Sequence, residues 1–286
     1  MIFLILASPF ILLIIYSLIE PYILKVTKNE FFISKPGEAN ISNATNQFTF
    51  LHLTDLHLGR TRIKENKILN VIKSNNSDFL VFTGDYFEKY KQINLLINLI
   101  YEIRKFYKKP IYLCFGNHDR KDVFDNNPGS FEFTVQKLKE QNITILENAS
   151  ADFVKDNCRV RVIGLGDARS NNADVKQIIT KNKSHNKYSI NLLMTHNSDI
   201  LMKMEPASVD FAVAGHTHGA QVRSPFNIET KLLHRKDILS SRHNILKGIN
   251  RYNDIDFYIT KGTGCSLFPV RFISHPEIAS ITLKTK

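Results

Sequence analysis

Five short polar motifs each follow an apolar run: Asp55-Leu56-His57, Gly84-Asp85, Gly116-Asn117-His118-Asp119, His196 and Gly215-His216-Thr217-His218. Carboxylates, imidazoles and an amide oxygen are the donors that bind divalent cations. Asp55 and His57 are two residues apart, and in extended backbone such residues point to the same side. His216 and His218 stand in the same relation, although a loop can send them to different ions. Gly84 allows a sharp turn before Asp85, whose carboxylate has two oxygens with which to bridge two cations. Asn117 offers a neutral carbonyl oxygen. This mixture of imidazole and oxygen suits Mn, Fe, Zn or Co better than Ca or Mg. Cys114, Cys158 and Cys265 are scattered, which excludes a disulfide framework and a thiolate zinc site.

Two ions about 4 Å apart can hold a phosphoryl group and share a water that loses its proton near neutrality. That water can then attack phosphorus in line. His118 is not needed as a ligand, so it is free to stabilise charge or protonate the leaving oxygen. Asp119 is the candidate partner for its other ring nitrogen. Arg60, just after the first motif, is the candidate substrate contact. His52 lies within an apolar run and reads as packed. His185, His234, His243 and His275 read as surface residues.

Strand-length apolar runs must position these groups. They are Phe48–Leu53, Phe79–Phe82, Ile111–Phe115, Val160–Leu165, Ile190–Met194, Phe211–Ala214, Phe257–Ile259 and Ile278–Leu283. Apolar residues at three- and four-residue spacing predict helices over Asn66–Lys73, Ile93–Phe106 and Phe131–Lys139. Alternating strands and helices imply an α/β class. The motifs sit just past strand ends, where open α/β sheets bind ligands.

Residues 1–19 carry no charge, and a helix of about 20 apolar residues spans a bilayer. No basic residue precedes the run, unlike a cleaved signal peptide. The expected organisation is a transmembrane anchor over 1–24, a linker over 25–47 and a catalytic domain over 48–286. Lys25 and Lys28 then place that domain on the cytoplasmic side of an inner, cytoplasmic membrane, with membrane lipids as partners. The net charge of +11 favours anionic partners. Residues 231–251 hold Lys231, Arg235, Lys236, Arg242, Lys247 and Arg251 against the single acid Asp237. This reads as a solvated basic loop, or as a contact for acidic groups. The sequence has no aromatic-basic interleaving of the kind that binds single strands, so nucleic acid is not favoured. The oligomeric state is not legible.

Taken in order, the five motifs resemble the calcineurin-like metallophosphoesterase superfamily. The match spans residues 55–218. The chain is similar to a bacterial membrane-anchored branch through Gly219-Ala220-Gln221, Gly262-Thr263-Gly264, Phe268-Pro269-Val270-Arg271-Phe272 and Pro276-Glu277. The resemblance implies a four-layer αββα sandwich and two divalent ions, with Mn favoured over Fe or Zn. Asp55, His57, Asp85 and His218 would bind one ion. Asp85, Asn117, His196 and His216 would bind the other, with Asp85 bridging and His118 catalytic. It implies phosphodiester or pyrophosphate hydrolysis, with UDP-2,3-diacylglucosamine or a similar nucleotide-linked lipid as the favoured substrate. A general phosphodiesterase or phosphatase and a non-catalytic binding module are the alternatives. Ala220 and Ser198 depart from the branch pattern, and neither removes a ligand.

Overall fold

A computed structural model describes residues 2–33, 46–156, 158–166, 175, 189–224, 236–266 and 268–285. Two mixed sheets of six strands dominate it. The first runs in the order β1 (Lys25–Ile33), β12 (Glu277–Thr285), β2 (Asn46–Leu53), β3 (Phe79–Thr83), β4 (Ile111–Cys114) and β5 (Thr144–Ile145). The second runs β10 (Gly248–Tyr252), β11 (Ile255–Ile259), β9 (Phe211–Ala214), β8 (Ser189–Met194), β7 (Cys158–Gly164) and β6 (Ala149–Lys155).

Side-chain alternation along each strand builds the layers. Leu51, Leu53, Leu80, Phe82, Ile111 and Leu113 face the helices α2 (Glu65–Ser74), α3 (Ile93–Phe106) and α4 (Ser130–Glu140). Their neighbours Phe50, Phe79, Val81 and Tyr112 face Val160, Val162, Leu192, Phe211 and Val213 of the second sheet. The outer side of that second sheet packs Leu193, Ala212, Ala214, Phe257 and Ile259 against Ile200, Leu201 and Leu239. Leu239 belongs to the short helix α5 (Ile238–His243). In α3 the buried residues Ile93, Leu96, Leu99, Ile100 and Ile103 form one stripe, which docks the helix on β3 and β4, as an amphipathic helix requires.

β2, β3 and β4 are mutually parallel, and so are β7, β8, β9 and β11. A common strand direction sends the loops after β2, β3 and β4 to one edge of their sheet. The loops after β8 and β9 likewise leave one edge of theirs. All five motifs sit on these loops.

The amino-terminal region differs from expectation. Helix α1 covers Ile2–Ile19, and no helix among the described residues is long and apolar enough to cross a membrane. This corrects the expected single-pass anchor and inner-membrane placement. The end of α1 is tied to the domain instead, because Glu20 is fully buried and accepts the Ile273 and Ser274 N–H groups. Residues 25–33, expected in the linker, form β1 and pair with β12 from Lys25–Glu277 to Ile33–Thr285. Asn46 and Gln47, also expected there, open β2. The remainder of the expected linker, 34–45, lies outside the described residues.

Candidate metal centre

Six side chains gather into two donor groups. Asp55, His57 and His218 form one, and Asp85, His196 and His216 the other; within each group the candidate ligand atoms lie within 4.8 Å of one another. Each group takes residues from loops of both sheets. His216 and His218 therefore diverge, as a loop permits and a strand would not. Asp55 and His57 do not lie in extended backbone, contrary to expectation. Asp55, His57, Asp85, His216 and His218 all have left-handed φ, from 42° to 73°. Such conformations cost about 1–3 kcal/mol each and persist where surrounding contacts over-determine them. Here the Asp55 N–H donates to Gly84 O (2.9 Å), the His57 N–H to Asp85 O (3.0 Å) and the Gly264 N–H to Asp55 O (2.7 Å).

Two glycines allow the loops to approach. A Cβ on Gly84, where φ is +90°, would collide with the Gly116 nitrogen. A Cβ on Gly215 would collide with Asp55 Oδ2. Any larger residue would separate the loops after β3 and β4, or the two sheets' contributions.

The imidazoles are oriented from behind. His57 Nδ1 donates to Glu88 Oε1 (3.1 Å), His196 Nδ1 to Thr83 O (2.7 Å) and His216 Nε2 to Asp237 Oδ1 (3.1 Å). With those nitrogens protonated, the other nitrogen of each ring carries a lone pair. These lone pairs point into the groups. His57 Nε2 lies 3.2 Å from His218 Nε2, and His216 Nδ1 lies 3.2 Å from His196 Nε2. Carboxylate oxygens join them, with Asp55 Oδ1 3.4 Å from His218 Nε2 and Asp85 Oδ2 3.1 Å from His196 Nε2. Burial, reinforced by His57 and Arg271, holds the His218 pKa well below the usual imidazole range and keeps it neutral. Burial would raise the Asp85 carboxyl, but His196 and then His118 hold it well below the usual carboxylate range. Asn117 Oδ1 is buried with no hydrogen-bond partner. Inward lone pairs, two buried carboxylates and an unsatisfied amide oxygen fit divalent cations.

His118 lies beside these groups, its Nε2 4.0 Å from Asp85 Oδ2. Its partner differs from expectation. Nδ1 pairs with Asp122 Oδ2 at 2.5 Å, across one turn of the π-type helix His118–Phe124. Burial lowers the His118 pKa, but Asp85 and Asp122 outweigh it and raise the net value. Asp119 faces away and accepts the N–H groups of Asp85 and Tyr86 (both 2.8 Å), Gly116 (2.9 Å) and Phe87 (3.2 Å). It staples the loops after β3 and β4 together. Asp119→Ala strands several buried donors at about 1–3 kcal/mol each. It is therefore expected to lower unfolding free energy by about 3 kcal/mol or more, read from the midpoint of urea denaturation.

Arg60, expected at the substrate, is committed elsewhere. Its guanidinium meets Glu88 at 2.7 and 2.9 Å and donates to Ser266 O, so it steadies the carboxylate behind His57. Sequence reasoning also missed Glu88, Asp122, Asp237 and Arg271. His118-x-x-x-Asp122 has the spacing of one helical turn, which was a usable signal. Asp237, the lone acid of the basic stretch, is buried behind His216. Residues 231–235 of that stretch lie outside the described residues, and Arg251 pairs with Asp254 and Asp256. His52 is packed as expected, with Nε2 on Thr83 Oγ1 and a pKa pushed down to about 3 by burial. His243 is exposed as expected, whereas His275 is half-buried beside Glu20. His185 and His234 lie outside the described residues.

Two mixed sheets with two candidate metal-binding groups at their loop edges are the layout of an α/β metallophosphoesterase. Residues 48–220 match the calcineurin-like phosphoesterase family, and the chain belongs to it. It is a metal-dependent phosphoric ester or anhydride hydrolase. It is 26% identical over 242 residues to the uncharacterized metallophosphoesterase YkoQ of Bacillus subtilis, covering 82% of this chain and 83% of that protein. It is also 26% identical to the phosphodiesterase YaeI of Escherichia coli, covering 82% of each. Identity to the UDP-2,3-diacylglucosamine pyrophosphatase LpxG of Chlamydia muridarum is 24%, over 96% of this chain and 93% of that protein.

Proposed function

We propose that the protein hydrolyses a phosphodiester or pyrophosphate bond at a dinuclear centre, with UDP-2,3-diacylglucosamine or a similar nucleotide-linked lipid as substrate. The observation that carries the reaction class is the pair of buried donor groups with ring lone pairs turned inward. Asp55, His57 and His218 would hold one ion and Asn117, His196 and His216 the other, with Asp85 available to both. Two bound cations, Mn by preference over Fe or Zn, supply Lewis acidity toward phosphoryl oxygens and acidify a water.

The protein's own groups do the rest. Glu88, Thr83 and Asp237 fix the imidazoles, so that little reorganisation accompanies the reaction. Asp85 stays ionised beside His196. His118, a third exposed and with its Nε2 4.0 Å from Asp85 Oδ2, donates its Nε2 proton to the departing oxygen.

The lipid reading draws support from the full-length similarity to LpxG. Exposed apolar side chains at the carboxyl-terminal loop, Phe268 and Ile273, and on α1, Leu12, Ile14 and Leu18, offer surface for acyl chains. The second reading, a general phosphodiesterase, is favoured by the similarity to YaeI. Purified protein with Mn separates the two. Release of UMP from UDP-2,3-diacylglucosamine is expected. Turnover of bis(4-nitrophenyl) phosphate without UMP release would leave the general reading, and turnover of neither substrate would favour a binding module.

A further inference from the structure

We infer that Glu20, at the end of the amino-terminal helix, is a positioning residue for the donor group of Asp55, His57 and His218. The inference rests on the dinuclear reading above. Glu20 is about 200 residues from His218 in sequence and belongs to none of the five motifs. Its side chain is nevertheless fully buried in the carboxyl-terminal loop. One carboxylate oxygen accepts the Ile273 N–H at 2.8 Å and the other accepts the Ser274 N–H at 2.6 Å. His275 Nδ1 lies 3.3 Å from the oxygen that serves Ser274. Next to it, the Arg271 N–H donates to Ser17 O at 3.0 Å, and Tyr16 meets Phe272 edge to face with centroids 5.8 Å apart.

The loop held in this way grips His218 through its backbone carbonyl and packs against its ring. Ser274 Oγ donates to His218 O at 2.7 Å. The buried Arg271 guanidinium lies 3.4 Å from His218 Nδ1. That guanidinium also donates to the carbonyls of Ser274 (2.8 Å), Lys261 (2.9 Å) and Gly262 (3.2 Å), and to Gly264. Gly262 and Gly264 in turn press on the same donor group. A Cβ on Gly262 would sit 2.5 Å from Asp55 Cβ, and the Gly264 N–H donates to Asp55 O at 2.7 Å. A buried carboxylate is costly without partners. Here the two N–H donors satisfy it, so Glu20 locks the loop in a single arrangement. The other group is braced differently. His196 leans on Thr83 O, His216 on Asp237, and Asp85 accepts the His118 N–H.

The His216 N–H donates to Asp55 Oδ2 at 3.0 Å and links the groups, so the effect should fall chiefly, not solely, on one ion. The test is titration of metal-free, full-length protein with Mn alone, followed by calorimetry. Wild type should take up two ions, and failure to do so would refute the dinuclear reading itself. Glu20→Gln keeps the size but replaces one acceptor oxygen with a donor. It is expected to weaken one of the two ions about 10- to 100-fold, the usual effect of losing a group that supports ligands. Two controls identify which ion. Glu88→Gln, behind His57, should weaken the same ion as Glu20→Gln, and Asp237→Asn, behind His216, should weaken the other. Glu20→Asp, which keeps both oxygens and the charge, should recover part of the loss. Two-ion wild-type binding with no change in Glu20→Gln would overturn the inference. So would equal weakening of both ions, or the Asp237→Asn pattern.

Discussion

Asp85→Ala is expected to abolish phosphodiester hydrolysis, lowering turnover by about 10³-fold or more, and to release metal. The magnitude follows from losing much of the transition-state stabilisation that two cations supply, because rate depends exponentially on barrier height. Asp85 is the carboxylate whose surroundings join the two donor groups. His196 lies 3.1 Å away, the His118 N–H donates to Oδ1 at 2.9 Å, and His57 of the other group also acts on its charge. Removing it leaves inward-facing ring nitrogens with one anion fewer between them, which weakens both cations. Asp85→Asn keeps the shape and the acceptor for the His118 N–H, so it separates charge from packing. It should fold like wild type and still lose most activity and metal. Metal content by elemental analysis, together with turnover of bis(4-nitrophenyl) phosphate, checks both variants. An Asp85→Ala protein with two ions per chain and near-normal turnover would refute the shared role.

The parts of the fold legible in the sequence are those buried on both faces. Residues of β2, β3, β4, β8 and β9 each face one of two apolar layers, so their segments are near-continuous apolar runs. The edge strands gave no such signal. In β6 and β10 the side chains alternate between exposed and half-buried, and β1 interleaves Lys25, Lys28 and Glu30 with its apolar residues. A half-solvated strand resembles a polar loop until its pairing partner is known, and the partner of β1 is more than two hundred residues away. Helix α1 misled for the opposite reason. Its composition is that of a lipid-facing segment, while its length and the buried Glu20 that follows it are facts of the fold.

The site divides along the same line. Ligand types are chemical and can be read from Asp, His and Asn in their motifs. Glu88, Asp237 and Arg271 support those ligands only through folding, and nothing local marks them. Asp119 shows how adjacency deceives. Consecutive residues on a helical turn point in divergent directions, whereas residues four apart share a face. His118 therefore meets Asp122, and Asp119 turns inward to the backbone of the loop after β3.

That geometry gives the second large effect. His118→Ala should lower kcat by about 10²- to 10⁴-fold, the range for loss of a general acid, while both ions stay bound. The structure places it outside both donor groups, with its Nε2 4.0 Å from Asp85 Oδ2. Asp122→Asn should cost less, about 10- to 100-fold, because it removes the carboxylate that orients the ring and leaves the ring in place. Leaving-group dependence distinguishes proton donation from general damage. Phenolate is a poor leaving group and needs the proton, whereas 4-nitrophenolate departs largely unaided. Both variants should therefore lose more activity on phenyl than on 4-nitrophenyl diesters, with KM little changed. Equal losses on the two substrates would show that His118 stabilises charge without giving up its proton. Loss of an ion in His118→Ala, to the degree seen in Asp85→Ala, would make it a ligand and remove the separate role altogether.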